Sequence, residues 1–175
     1  ITVTESNKIF ITDLQGKVLK RTDNSDAIIS PLDKDNLPLK PHSLISNQGK
    51  VYVSLYGGYV ARIDTSALNI DAKMEVGAFP EKMTVVSNKL YVANSRSASD
   101  SISVINLNNF TRENAIKVAV NPDKITSDKY NNIYVISTGN YGNVRPTLQK
   151  IKPETGAVSV IGTDIATQMT IDGDR

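Results

Sequence analysis

The fold is decided by the stretch Asn88–Asn94 (NKLYVAN), which leads through a polar loop into Ser101–Asn106 (SISVIN). Polar and apolar residues alternate in both segments, and β-branched or aromatic residues fill alternate positions. A period of two residues with this composition predicts two β-strands joined by a loop.

The same pattern recurs on both sides of this stretch. Gly49–Ser54 leads into Tyr59–Asp64, and Asn131–Ser137 leads into Thr147–Lys152. The tyrosines of the three copies stand at positions 52, 91 and 134, which gives spacings of 39 and 43 residues. A repeat of this length that contains only strands is typical of β-propeller blades. We interpret the three tyrosines as core residues.

The repeat predicts an all-β protein, a β-propeller with four-stranded blades and about four blades in this chain. The predicted ranges are half a blade over 1–22, full blades over 41–76, 80–119 and 122–162, and the first strand of a further blade over 164–175. Half-blades at both ends would leave open strand edges. We therefore expect a fragment of a longer propeller, and a closed four-bladed ring is the alternative.

Composition narrows the class of protein. The chain has 175 residues, of which 39% are hydrophobic and 22% charged, with a net charge of +2. This is typical of a globular protein with a sizeable core, and it predicts no nucleic-acid partner. The absence of cysteine excludes thiolate zinc sites and cysteine nucleophiles. No apolar run reaches the roughly 18 residues of a membrane span, so no transmembrane segment is predicted in this chain.

Binding residues are expected on loops, because loops on a rigid β body carry most recognition surfaces. Three loops are predicted to meet on one rim, namely 23–40, 94–100 and 139–145. The first contains Asp33–Asn36, which resembles the start of a calcium loop. It lacks the glycine at the sixth position and has Leu44 where a bidentate glutamate belongs, so a solvated connector is the preferred interpretation.

Aromatic and arginine side chains on Gly- and Asn-rich loops favour ligand contact, since they offer stacking area with few torsions to freeze. The repeat also predicts a polar ring, with His42, Glu81 and Asp123 at one equivalent position and lysines following two of them. These charges could instead be hydrated rim residues. The candidate ligand-binding residues are Tyr56, Arg96, Asp100, Asn140, Tyr141, Arg145, His42, Lys82 and Lys124.

His42 admits two readings. A rim or packing role is preferred, and an axial ligand to a metal, including cobalt, is the alternative. No resident metal or cofactor is predicted.

Two motif sets resemble known families. Leu90–Asn94 with Ser103–Asn106 resembles the repeat of the YVTN family of propellers, found in surface-layer and quinoprotein-like proteins. Ser127–Tyr134, Gly139–Asn143 and Pro146–Ile151 resemble the extracellular propeller lipoproteins of gut Bacteroidetes. That group is usually seven-bladed and includes surface corrinoid-binding proteins that sit on a TonB-dependent cobalamin transporter.

The resemblance implies a lipid-anchored protein on the extracellular face of the outer membrane. It further implies a corrinoid such as cobalamin as a bound ligand, and a TonB-dependent transporter or another surface protein as partner. A small-molecule ligand and a protein partner both remain open at this point, because both use aromatic and arginine anchors in polar rims.

Enzymatic function is not predicted. The sequence contains no nucleophile elbow, zincin motif, phosphate-binding loop or dinucleotide fingerprint. It also has no tryptophan, which the docking motifs of quinone-type propeller dehydrogenases would require. A non-catalytic binding module is therefore the leading hypothesis. The alternatives are a metal-dependent lactonase-like hydrolase using Glu81, Asp123 and Asn94, and a purely structural surface-layer module.

Overall fold

The computed structural model describes residues 1–12, 17–22, 25–33, 35–96, 99–163 and 168–170, with only the backbone described at 21, 22, 25 and 26. The chain divides into two compact units, Ile1–Glu75 and Val76–Arg175. All regular elements of the described residues are β-strands, and all pairings between strands are antiparallel. In this part of the chain no helix is long and apolar enough to cross a membrane.

The first unit contains two four-stranded sheets, each in sequence order. The first sheet comprises β1 (Thr2–Val3), β2 (Ile9–Thr12), β3 (Val18–Thr22) and β4 (Ser25–Ile29). The second comprises β5 (Lys40–Asn47), β6 (Lys50–Tyr56), β7 (Tyr59–Asp64) and β8 (Asn69–Glu75). Phe10 and Val18 from the first sheet pack with Val51, Val53 and Leu55 from the second in one buried core.

The second unit repeats this arrangement. The third sheet comprises β9 (Pro80–Val86), β10 (Lys89–Asn94), β11 (Ser101–Asn106), β12 (Thr111–Arg112) and β13 (Ile116–Lys117). Both β12 and β13 pair with β11, so the fourth strand of this blade is split in two. The fourth sheet comprises β14 (Pro122–Ser127), β15 (Ile133–Ser137), β16 (Thr147–Lys152) and β17 (Ala157–Thr163).

The core of the second unit follows from strand alternation. Tyr91 and Ala93 point from β10 to one face of the third sheet, where Tyr91 is paired with Val104 on β11. Val135 and Ile151 come from the facing side of the fourth sheet and belong to the same buried cluster. Leu90 and Val92, on the opposite face of β10, are buried as well, so this central strand is covered on both faces.

The predicted all-β fold with four-stranded blades is confirmed. The half blade predicted over 1–22 is wrong in strand count, because β1 to β4 form a complete four-stranded sheet over 2–29. Two residues in β1 are too few to show alternation. The polar start of β4, Ser25–Asp26, was interpreted as part of a loop over 23–40, and polar residues are tolerated in an edge strand.

The three tyrosines of the repeat differ in burial. Tyr52 and Tyr91 are buried as predicted. Tyr134 is only half-buried, and its hydroxyl donates a hydrogen bond to Asp128 Oδ2 at 3.0 Å. The strand predicted over 164–175 lies outside the described residues except for 168–170, which belong to no strand.

A charge cluster links three strands of the second sheet and gives a pH prediction. Lys50 Nζ donates to Asp64 Oδ2 at 2.5 Å and to Asp71 Oδ2 at 3.0 Å. The hydrogen bond from Lys50, with those from the backbone N–H groups of Ala67 and Ser66, holds the pKa of Asp64 well below its ordinary 3.8. The carboxylate therefore stabilises the fold fully above its unfolded-state pKa and loses that contribution as the pH falls through its folded-state pKa.

We expect the free energy of unfolding to decline in acid, and Asp64→Asn to make this decline shallower. Urea unfolding monitored by circular dichroism at a series of pH values below neutrality measures the slope. An unchanged slope in the variant would contradict the assignment to Asp64.

Candidate functional site

One edge of the second unit is built from loops. The registers Asn94↔Ser101 and Ser137↔Thr147 place loops 95–100 and 138–146 at the same ends of their sheets, and loop 118–121 enters β14 at that end. We call this surface the loop edge. Residues 97 and 98 of the first loop lie outside the described residues.

Loop 118–121 ties the other two loops together. The backbone N–H of Asn121 donates to the carbonyl of Ser99 at 2.7 Å, and Asn121 Nδ2 donates to the carbonyl of Gly139 at 2.7 Å. The N–H of Val118 donates to the carbonyl of Asp100 at 2.8 Å. The loops predicted at 94–100 and 139–145 thus share one edge of this unit. The third predicted loop, 23–40, lies in the first unit, and most of its residues are described.

Loop 138–146 is organised by the side chain of Asn140. Its Oδ1 accepts hydrogen bonds from the N–H groups of Gly142 at 3.0 Å and Val144 at 2.9 Å, and its Nδ2 donates to Asn143 Oδ1 at 3.0 Å. The N–H of Asn140 also donates to the carbonyl of Val144 at 3.1 Å. Asn140, predicted as a ligand contact, therefore holds its own loop in shape.

Tyr141 lies at the tip of this loop and is 92% exposed. Its φ is +57°, a conformation that costs a non-glycine residue about 1 kcal/mol or more. The loop thus displays a large aromatic side chain to solvent in a strained backbone conformation. Arg145 follows on the same loop and is exposed. Tyr141 has the highest exposed fraction of any large hydrophobic side chain among the described residues.

The charged candidates in loop 95–100 make local contacts. The Arg96 guanidinium lies 4.5 Å from the ring centroid of Phe79, a cation–π arrangement. Asp100 forms an exposed ion pair with Lys117 at 3.3 Å. Such exposed pairs contribute roughly 0 to 1 kcal/mol, so this pair adds little to stability.

On the inner strands of the second unit, Lys124 Nζ pairs with Asp123 Oδ2 at 2.6 Å, and both side chains are half-buried. Lys82 is exposed, whereas Glu81 beside it is half-buried. Asn94 is fully buried, and its Nδ2 donates to Ser103 Oγ at 3.0 Å. The burial of Asn94 and the Asp123–Lys124 pair do not favour the lactonase alternative, which needs these oxygens open to a metal ion.

In the first unit, the structure brings together two candidates from different strands. The rings of His42 and Tyr56 stack with centroids 4.9 Å apart and an interplanar angle of 18°. His42 Nδ1 and Tyr56 Oη lie 3.0 Å apart, within hydrogen-bond distance. This contact agrees with a packing role for His42. Among the described residues, no group of three or more His, Asp or Glu side chains is placed to hold a metal ion.

The structure shows a cavity in the second unit that no pattern in the sequence predicted. It lies between the third and fourth sheets, has a volume of about 420 Å³ and is lined by Tyr91, Glu113 and Glu154 among others. Tyr91 was interpreted as core, and Glu113 stands where no motif marks it. No sequence signal pointed to this cavity, because it exists only where two sheets face each other.

Several solved structures have a fold similar to that of this chain. Hydrazine synthase of Kuenenia stuttgartiensis superposes with a TM-score of 0.71 at 16% identity, over 92% of this chain and 48% of that chain. The extracellular domain of a proposed one-component system of B. thetaiotaomicron gives 0.62 at 12% identity, over 91% and 24% respectively. That of a proposed hybrid two-component system from the same organism gives 0.66 at 10%, over 90% and 22%.

The chain is therefore a β-propeller with about four blades, and it spans less than half the length of each of these three structures. No family model and no curated protein matches the sequence. The structural neighbours include both an enzyme and extracellular domains, so the likeness defines the fold.

Proposed function

We propose that this chain is a non-catalytic, surface-exposed propeller that binds its target through the loop edge. The observation that carries the proposal is Tyr141, which is almost fully exposed on a loop whose shape Asn140 holds. A rigid loop loses little conformational entropy when its aromatic tip is buried by a ligand. Arg145 on the same loop adds a planar donor for polar groups of that ligand.

The target we propose is a corrinoid. Its macrocycle offers an apolar face for Tyr141 and its amide and phosphate groups suit a guanidinium. The support is the resemblance of Gly139–Asn143 and the flanking motifs to surface lipoproteins of Bacteroidetes. Two structural neighbours are extracellular domains from Bacteroides, which supports a location at the cell surface. The proposed lipid anchor at the outer membrane and the proposed TonB-dependent transporter as partner rest on the sequence resemblance.

Calorimetric titration of the protein with cyanocobalamin tests this proposal. We expect saturable binding that Tyr141→Ala weakens by about tenfold or more, because central aromatic contacts are worth about 2 kcal/mol in binding. Arg145→Ala should weaken binding in the same direction. The matched control is Tyr130→Ala, since Tyr130 is 69% exposed but lies on the turn at the other end of the fourth sheet.

An absence of heat at micromolar protein would overturn the corrinoid assignment. Equal losses from Tyr141→Ala and Tyr130→Ala would overturn the placement of the site on the loop edge. Folding of each variant is checked by its urea midpoint, so that a loss of affinity is not confused with a loss of structure.

A further inference from the structure

The cavity between the third and fourth sheets extends from the turn 153–156 to Lys117, which borders the loop edge. Its volume of about 420 Å³ falls within the usual range for small-molecule sites. The turn 153–156 forms one wall and residues 113–117 form the other. The cavity is independent of the function proposed for the loop edge.

The fourth strand of the third blade is interrupted where it borders the cavity. Thr111–Arg112 and Ile116–Lys117 pair with β11, whereas residues 113–115 between them belong to no strand. A continuous strand would extend the sheet through this segment, as β17 does along the fourth sheet. The interruption brings Glu113 to the wall of the cavity and leaves Tyr91 and Val104 lining it.

Tyr91 gives the cavity a polar group that the fold does not use. The residue is only 2% exposed, and among the described residues its hydroxyl makes no hydrogen bond. Burial, followed by the nearby carboxylates of Glu113 and Glu154, raises the pKa of the Tyr91 phenol. The Tyr91 hydroxyl is not among the fully buried atoms that lack a partner, so it is open to the cavity, where a ligand that accepts or supplies a hydrogen bond can take the place of water.

Two lysines and two glutamates line the cavity, Lys89, Lys117, Glu113 and Glu154. Lys89 Nζ pairs with Glu113 Oε2 at 2.7 Å, and this hydrogen bond lowers the pKa of Glu113. Lys117 pairs with Asp100. In the part of the chain that the structure describes, Glu154 has no ion pair or hydrogen bond through its side chain. The cavity therefore presents one carboxylate without a counterion, beside the apolar side chains of Val104 and Ile116.

We propose that this cavity binds a small organic amine, with its ammonium group between Glu154 and the Tyr91 hydroxyl and its apolar body against Val104 and Ile116. An ammonium group donates hydrogen bonds to both the carboxylate and the phenol oxygen. An anionic ligand would be repelled by Glu154. A neutral alcohol of the same length would leave the carboxylate without its counterion.

The test uses n-hexylammonium as the probe, with n-hexanol and hexanoate as neutral and anionic probes of matched length. Amide shifts in nitrogen-15 NMR spectra report which residues respond. We expect saturable shifts confined to residues 113–117 and 154–156. Glu154→Gln should weaken hexylammonium binding about fivefold, the upper end for an exposed ion pair, and Tyr91→Phe about threefold, as for a neutral hydrogen bond.

Both variants keep the shape of the side chain, and Glu154 is exposed on a turn, so the fold should be retained. The matched control is Glu75→Gln, an exposed carboxylate at the end of β8 that should leave binding unchanged. Equal affinity for hexanol and hexylammonium would overturn the proposal in favour of a merely apolar cavity. Shifts that do not saturate, or that survive both variants at full strength, would overturn it as well.

Discussion

Replacing Gly139 with alanine is expected to destabilise the protein by about 3 kcal/mol, the upper range for a single substitution that creates backbone strain. Gly139 has a φ of +69°, which costs an alanine about 1 to 2 kcal/mol. A Cβ at this position would also lie 2.0 Å from the carbonyl oxygen of Val144. Since both groups are held by backbone, the loop cannot relax without breaking the hydrogen bond between Asn140 and Val144.

The matched control is Gly156→Ala. Gly156 has the same φ of +69°, but a Cβ there meets nothing within 4 Å. We expect this variant to cost only about 1 kcal/mol, which is the conformational part alone. Urea unfolding of both variants measures the difference, and hydrogen exchange of residues 140–144 shows whether the loop has opened. Equal costs for the two variants would mean that the Val144 carbonyl does not restrict Gly139.

The second large effect is expected at Ile151. This residue is fully buried on β16 in the core between the third and fourth sheets. Ile151→Ala removes three methyl or methylene groups from a packed interior and should lower the free energy of unfolding by about 3 to 4 kcal/mol. The measurement is the urea midpoint with the slope held common to both proteins.

Ile161→Ala is the control for this prediction. Ile161 lies on β17 of the same sheet and is 50% exposed, so its truncation should cost less than about 1 kcal/mol. Similar losses at the two positions would contradict the described core, because the cost of truncation follows the burial of the side chain.

The candidate residues differed in how far their roles could be predicted. Tyr141 was predicted as a ligand contact because an aromatic residue on a Gly- and Asn-rich loop offers stacking area with few torsions to freeze, and the structure places it, 92% exposed, at the loop tip. Asn140 looked equally suited to ligand contact, yet its side chain is used within the loop. The sequence shows that a side chain can donate or accept a hydrogen bond, but the group it bonds to depends on the backbone conformation of the loop.

The two strands that the sequence did not predict, β1 and β4, depend on pairing with a neighbouring strand. β2 (IFIT) and β3 (VLKRT) contain apolar and β-branched residues and were predicted as the two strands of half a blade, whereas β1 is too short and the start of β4 too polar to be recognised. Each of these two strands exists because a neighbouring strand offers it unpaired N–H and C=O groups. Such pairing does not require polar and apolar residues to alternate in the added strand.

The all-β class and the four-stranded blade follow from the sequence alone, because strand-like segments repeat about every 40 residues along the chain. That the central strands are buried on both faces follows from the packing of neighbouring sheets. Only the tertiary structure decided the shape of the loop edge and the presence of the cavity. Tyr91 is at once a core tyrosine of the repeat and the lining of that cavity. Its second role arises from the break at residues 113–115 and the turn at 153–156, which meet it only when the two sheets pack.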